Sequence, residues 1–400
     1  MSEVDADHLG EAVPLSDRLG WWKPLAIWSG FIIVVGIMAV GGGLASQLDE
    51  KTFLTTVLFG NLVLALAAGL SGWVGASTGL SFSALTEMGF PGASSRVVQL
   101  YVPIVLIGWF GVEAAIFGNI IGEVWEIENR WWLMSGATLI FATTTYLGIR
   151  VIGNTSLFLV PAIIVLATYA VVQSIEVTSG YKFASSNEIS VNAAIGIVVS
   201  SWVMGCLTCV PDITRFAKST WTGASVAAGG VFFANTFTFM VGGYAAASIG
   251  EHDPAKVLIA ISTIPLAILF ALANIWTTND NNMYSAALNV ARSFHVTRKQ
   301  AVIICAILAA IFAAINPTKI EHLFTFLGLM GSTAPALGGV IYTQLLMKEL
   351  RFKTSISWVS WIAGSCAAFF TEGLIGIVLG AFTASLFVVS LTLLMSKRTN

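Results

Sequence analysis

Apolar stretches about twenty residues long recur along nearly the whole chain, and no polar linker separates them. Inside a bilayer each backbone N–H and C=O needs a partner within the protein, so stretches of this length cross as helices. Twelve candidate spans lie at about 25–45, 53–76, 97–122, 132–149, 157–175, 190–210, 225–249, 264–291, 300–316, 322–346, 356–371 and 374–395. Only 10% of the residues are charged, where soluble domains carry roughly 25%. The expected fold class is therefore all-α integral membrane, with twelve transmembrane helices. Residues 1–24 read as a polar N-terminal segment and 25–400 as a single transmembrane domain. The stretch "IGEHDPAKVLIAIS" before span eight reads as a surface or re-entrant piece.

Lysine and arginine positions test the orientation. With a cytoplasmic N-terminus, fourteen of the nineteen basic residues fall on the cytoplasmic side, from Arg18 and Lys23 to Lys397 and Arg398. Lys51, Arg130, Lys182, Lys256 and Lys319 fall on the other. The positive-inside rule then places both termini in the cytoplasm. The N-terminal residues lack the basic-then-apolar layout of a signal peptide, so the first span is expected to remain in the mature protein. Five spans starting inside followed by five starting outside would permit an inverted repeat, as in many secondary transporters.

Several function classes drop out. There is no Walker loop, nucleophile elbow or HExxH motif, and the four histidines are scattered without metal-ligand spacing. No basic run suggests nucleic acid. The cysteines (206, 209, 305 and 366) all lie in apolar sequence, where packing is the ordinary role, including for the CxxC of "GCLTCV".

What remains is polarity in the wrong place. Span eight contains "ANIWTTNDNNMYSAA", in which Asn274, Thr277, Thr278, Asn281 and Ser285 share one helical face, with Asp280 inside the run. Such a face either glues helices together or offers oxygens to a small hard cation such as Na+, and an intramembrane acid marks function by default. In span three, "LIGWFGVEAAIFGN" sets Trp109 one turn from Glu113: a flat ring could stack on the indole while the acid reads its edge. Span one carries Gly30, Gly36 and Gly41–Gly43, which point either to close packing or to a discontinuous helix with free carbonyls. In span six, Trp202, Gly205 and Pro211 offer a ring, a flexible point and a break. Asp212 and Arg215 read as a solvated or gating ion pair at the cytoplasmic end.

The segments "NIWTTNDN", "GWFGV", "GNLVL", "STGLS", "PDITRF" and "APALGGV" resemble the nucleobase–cation symporter family, a likeness that runs from span one through span ten, with the span-eight motif its specific part. Within it the chain resembles the bacterial cytosine permeases, and more distantly a hydantoin transporter. The resemblance implies a LeuT-type fold: two inverted five-helix repeats, at 25–175 and 190–346, plus two additional helices at 356–395. It implies a multi-pass protein of the bacterial inner membrane that imports a flat heterocycle together with Na+. By residue, it makes Asn274, Thr277 and Thr278 sodium ligands, with Gly30 and Ile33 completing the site through their carbonyls. Trp109 and Trp202 become the stacking aromatics, Glu113 falls where the hydantoin transporter has a substrate-bonding glutamine, and Asn279 matches an asparagine that bonds the base. Leu106 and Gly205 depart from the polar residues expected of cytosine permeases, and a carboxylate at Glu113 favours N–H edges or a cationic ring. Proton coupling through Glu113 or Asp280 is the alternative within transport, and an intramembrane enzyme the alternative outside it. No obligate protein partner is expected.

Overall fold

The computed structural model describes residue 8 and residues 11–177, 182–251, 253–347 and 353–396. His252, Lys348, Arg351, Lys397 and Arg398, used above, lie outside them. The helices in chain order are α1 (Trp22–Ile32), α2 (Val35–Ala45), α3 (Glu50–Thr78), α4 (Phe82–Gly89), α5 (Ala93–Val124), α6 (Trp131–Leu147), α7 (Ile149–Val177) and α8 (Val191–Thr208). They continue as α9 (Val210–Thr214), α10 (Thr220–Ile249), α11 (Pro254–Ile261), α12 (Ile264–Phe294), α13 (Arg298–Ala314), α14 (Ile320–Leu346), α15 (Thr354–Phe369) and α16 (Gly373–Ser396).

Helices stand at all twelve predicted spans. Among the described residues seven are long and apolar enough to cross a bilayer, and α1 with α2 qualifies as one span bent by 52°. Of the rest, α6, α13 and α15 are short, at 17, 17 and 16 residues, and α12 carries the polar run. Helices α4 and α11 are additional. The second is the piece expected to be at the surface or re-entrant, and at ~12 Å neither can cross.

The element lengths repeat. Helices α3 and α10 have 29 and 30 residues, α4 and α11 have 8 each, α5 and α12 have 32 and 31, α6 and α13 have 17 each, and α7 and α14 have 29 and 27. Each series opens with a broken helix, α1–α2 in one and α8–α9 in the other. Because each unit holds five spans, an odd number, the second begins on the opposite side of the bilayer from the first.

Small residues set the closest packing. Helix α10 lies along α3 and α2; a Cβ on Gly41 would sit 2.6 Å from the Phe239 carbonyl, and one on Gly242 would strike the Met38 backbone. Gly242→Ala should therefore lower stability by about 2 kcal/mol through overpacking. The thermal midpoint of the detergent-solubilised protein reads this, with Gly229→Ala, whose Cβ meets nothing within 4 Å, as the unchanged control.

At the end where α3 finishes, the N-terminal segment folds back on the bundle. Val13 donates to the Gly79 carbonyl at 2.9 Å and Leu19 to that of Phe216 at 2.5 Å. Arg18 donates to the carbonyls of Ala76 and Ala217. This seal corrects the reading of Asp212 and Arg215 as solvated. Both are fully buried: Asp212 accepts from the Phe82 N–H at the start of α4, and Arg215 reaches the Tyr284 hydroxyl and the His8 carbonyl.

Candidate functional site

The first span breaks at Ile33–Val34, not at a glycine. Ile33 and Val34 take extended conformations (ψ 95° and 137°) between α1 and α2. A break leaves backbone groups without helical partners, at several kcal/mol each in an apolar setting. Side chains from other helices supply them. Asn274 of α12 spans the gap, its Oδ1 accepting from Val35 N at 2.9 Å and its Nδ2 donating to the Ile33 carbonyl at 2.8 Å. Glu113 of α5 accepts from Gly36 N at 3.1 Å through Oε1. Gly36 is glycine because a Cβ would collide with that carboxylate oxygen and come within 3.3 Å of the Trp109 ring. The close-packing reading holds at Gly41 and Gly43; the helix is discontinuous as the other reading expected, but between Ile33 and Val34 rather than at a glycine, and Gly36 makes room for the Glu113 carboxyl beside the break.

The polar run of α12 divides between two faces. One faces α1: besides Asn274, the Thr278 hydroxyl lies 3.3 and 3.4 Å from the carbonyls of Gly30 and Phe31, and Asn281 reaches Ile27. Thr277 Oγ1 is 3.0 Å from the main-chain carbonyl of Asn274. A Cβ on Gly30 would make only ordinary contact with Thr277, at 3.5 Å, but would press on Val160 of α7 at 2.9 Å, so this glycine serves the packing of α1 on α7. The amide of Asn274 is committed to the break, so what it can offer a cation is its main-chain oxygen. The other face holds Asp280, which turns to α6: Thr144 and Thr145 donate to its Oδ1, and Trp276 Nε1 donates to Thr144. Asp280 therefore sits apart from the Thr278 oxygens.

Next to Thr278 is a small cavity of about 30 Å³, room for little more than a water. Its aromatic walls are Trp109 on α5 and Phe31 and Trp202 on α1 and α8; Phe31 and Trp202 pack edge to face at 4.8 Å. Ser200, Ser201 and Asn282 add polar groups, and Leu106, Met204 and Met330 apolar ones. Gly205 also lines it, and a Cβ there would come within 2.7 Å of the Trp202 ring, so this glycine seats the indole. Two of the lining residues each carry a buried polar atom with no hydrogen-bond partner, Glu113 Oε2 and Trp202 Nε1.

Of the residues singled out from sequence, Trp109, Glu113, Trp202 and Gly205 meet at this cavity. Asn279 stands behind it, 3.5 Å from the Phe110 carbonyl and accepting from Asn282, which takes the lining place one turn on. Phe31 was not foreseen, because an aromatic in an apolar run looks like core. Ser200 and Ser201 carried a signal, two adjacent hydroxyls in a span, that sequence reasoning passed over.

A family profile described as permease for cytosine/purines, uracil, thiamine and allantoin matches residues 12–354. The cytosine permease of Escherichia coli O157:H7 is 30% identical over 360 residues, 88% of this chain and 84% of that one. The cytosine permease of E. coli K12 is 29% identical over the same shares. Among solved structures, MHP1, a nucleobase-cation-symport-1 family transporter in a closed conformation with bromovinylhydantoin bound, superposes with a TM-score of 0.85 at 18% identity, covering 98% of this chain and 96% of that one. A Na+-coupled sialic acid symporter superposes at 0.69 and 12% identity, over 98% and 92%. The fold is the LeuT-type arrangement of two five-helix units plus two helices. The chain belongs to the cytosine/purine, uracil, thiamine and allantoin permease family, and it is a multi-pass membrane transporter rather than an enzyme.

Proposed function

We propose that the protein is a sodium-coupled importer of a nucleobase-like heterocycle in a bacterial inner membrane, with both termini cytoplasmic. The observation that carries this reading is the unpartnered Glu113 Oε2 in an aromatic-walled cavity whose wall includes Thr278. The ring lies against Trp109, with Phe31 and Trp202 opposite, and gives an N–H to Glu113. Sodium sits between α1 and α12, on the hydroxyls of Thr277 and Thr278 and the main-chain oxygens of Gly30, Ile33 and Asn274. Thr278 belongs to both places, so each ligand orders a wall of the other's site, and coupling follows if each prefers the same conformation. The cavity as it stands is too small for a ring, so the walls must part for entry and exit.

A thermal-shift screen of heterocycles, each with and without sodium, tests this. A compound whose stabilisation grows with sodium supports the reading; rings that stabilise equally in its absence count against sodium coupling. Thr278→Val keeps the shape and removes one oxygen. It should raise the sodium concentration for half-maximal uptake about tenfold, while ring affinity at saturating sodium changes little.

A further inference from the structure

Where α5 begins and α12 ends, the two helices meet the turn after α4 at an open pocket of about 830 Å³. It shares no lining residue with the cavity beside Thr278. Two arginines and one carboxylate line it. Arg292, in the last turn of α12, pairs with Glu87 of α4 through Nε and Nη2, both at 2.8 Å. Arg96, in the first turn of α5, has no carboxylate partner among the described residues; its Nη2 donates to His295 Nε2 at 3.0 Å. An arginine only donates, so that imidazole nitrogen accepts, and His295 orients the guanidinium without cancelling its charge. The pocket therefore carries excess positive charge, and α5 opens onto it from Gly92, which has no side chain to cap the first N–H groups. The rim is apolar. Val97 follows Arg96, and Ile104 stands on the same face two turns, or ~10 Å, further along the helix. Both are exposed, as is Phe294 at the end of α12. A soluble anion would use the arginines alone, whereas a lipid would use the arginines and the apolar face together.

We propose that this pocket binds an anionic phospholipid, its phosphodiester held by Arg96 and Arg292 and an acyl chain laid along Val97 and Ile104. Two phosphate oxygens match the fork of a guanidinium, and basic pockets between helices at the cytoplasmic face suit such headgroups. The bound lipid ties the ends of α5 and α12 to α4. Helix α5 bears Trp109 and Glu113, and α12 bears Thr277 and Thr278, so the headgroup braces the two helices that carry most of the candidate site. The inference takes from the proposed function only the leaflet that the pocket faces, and its test in detergent needs neither that orientation nor any substrate.

The full-length protein, stripped of lipid in detergent, is titrated with dioleoylphosphatidylglycerol, dioleoylphosphatidylcholine and inorganic phosphate, with native mass spectrometry and the thermal midpoint as readouts. Phosphatidylglycerol should stay bound and raise the midpoint more than phosphatidylcholine at the same concentration, and inorganic phosphate should leave it unchanged. Arg96→Gln should weaken phosphatidylglycerol binding about fivefold, the weight of one basic group at an anionic surface. Lys218→Gln, which removes an exposed charge outside the pocket, should not. Glu87→Gln removes the one acid that lines the pocket and leaves Arg292 a neutral hydrogen-bond partner, so it should strengthen binding. That opposite sign keeps the test decisive even if Arg96→Gln proves unstable without lipid. Equal binding of phosphatidylcholine, equal affinities in Arg96→Gln and Lys218→Gln, or no gain in Glu87→Gln would each overturn the proposal. Stabilisation by inorganic phosphate as large as that by phosphatidylglycerol would also overturn it, in favour of a soluble anion.

Discussion

Asn274→Ala is expected to abolish most sodium-stimulated uptake, a loss of about a hundredfold at sodium levels that saturate the unaltered protein. One amide bridges the break in the first span, 2.9 Å from Val35 N and 2.8 Å from the Ile33 carbonyl. Removing it leaves a buried donor and a buried acceptor unpaired, at about 1–3 kcal/mol each. Ile33 also offers its carbonyl to the proposed ion, so the loss should appear as weaker sodium dependence more than as weaker ring binding. Asn274→Asp refines the result. It keeps an acceptor for Val35 and loses the donor to Ile33, and so should fall between alanine and the unaltered chain. Uptake into vesicles across a sodium series checks both, and an unchanged sodium dependence in Asn274→Ala would remove this residue from the coupling machinery.

The second large effect is expected at Gly36. A single methyl there collides with the Glu113 carboxylate and crowds the Trp109 ring at 3.3 Å. Gly36→Ala must push Glu113 aside or lift the first turn of α2, and either breaks the bond between them. Ring affinity should drop about a hundredfold, the order expected when a buried hydrogen bond is broken and the tightly packed wall beside it is displaced. Gly136→Ala, on α6 with nothing within 4 Å of its Cβ, should bind as the unaltered protein does. Calorimetry of the same ring against both variants decides it.

Much of this was legible in the residues, and the reason differs by feature. Hydrophobic length reports the bilayer directly, so the twelve helices came out at their places. The polar face of α12 was legible because Asn274, Thr277, Thr278 and Asn281 recur at helical spacing, and they do lie together against α1. Spacing says nothing of what a face meets, so the sequence could not show that Asp280 turns to Thr144 and Thr145 of α6. The break was sought at glycines and lies at Ile33–Val34, where β-branched residues suit extended backbone. Its partners come from residues about 80 and 240 positions away in the chain, beyond the reach of local pattern. Arg215 looked solvated because charged residues near a span end usually are; burial beneath the N-terminal segment depends on tertiary folding alone.

The matched helix lengths of the two halves have a practical use. Residues 22–177 and 191–346 run through the same series of elements, so each half can serve as a template for the other. Threading each along its counterpart's path drafts the molecule facing the opposite compartment, and residue pairs that separate in that draft are natural positions for distance probes that follow the transport cycle.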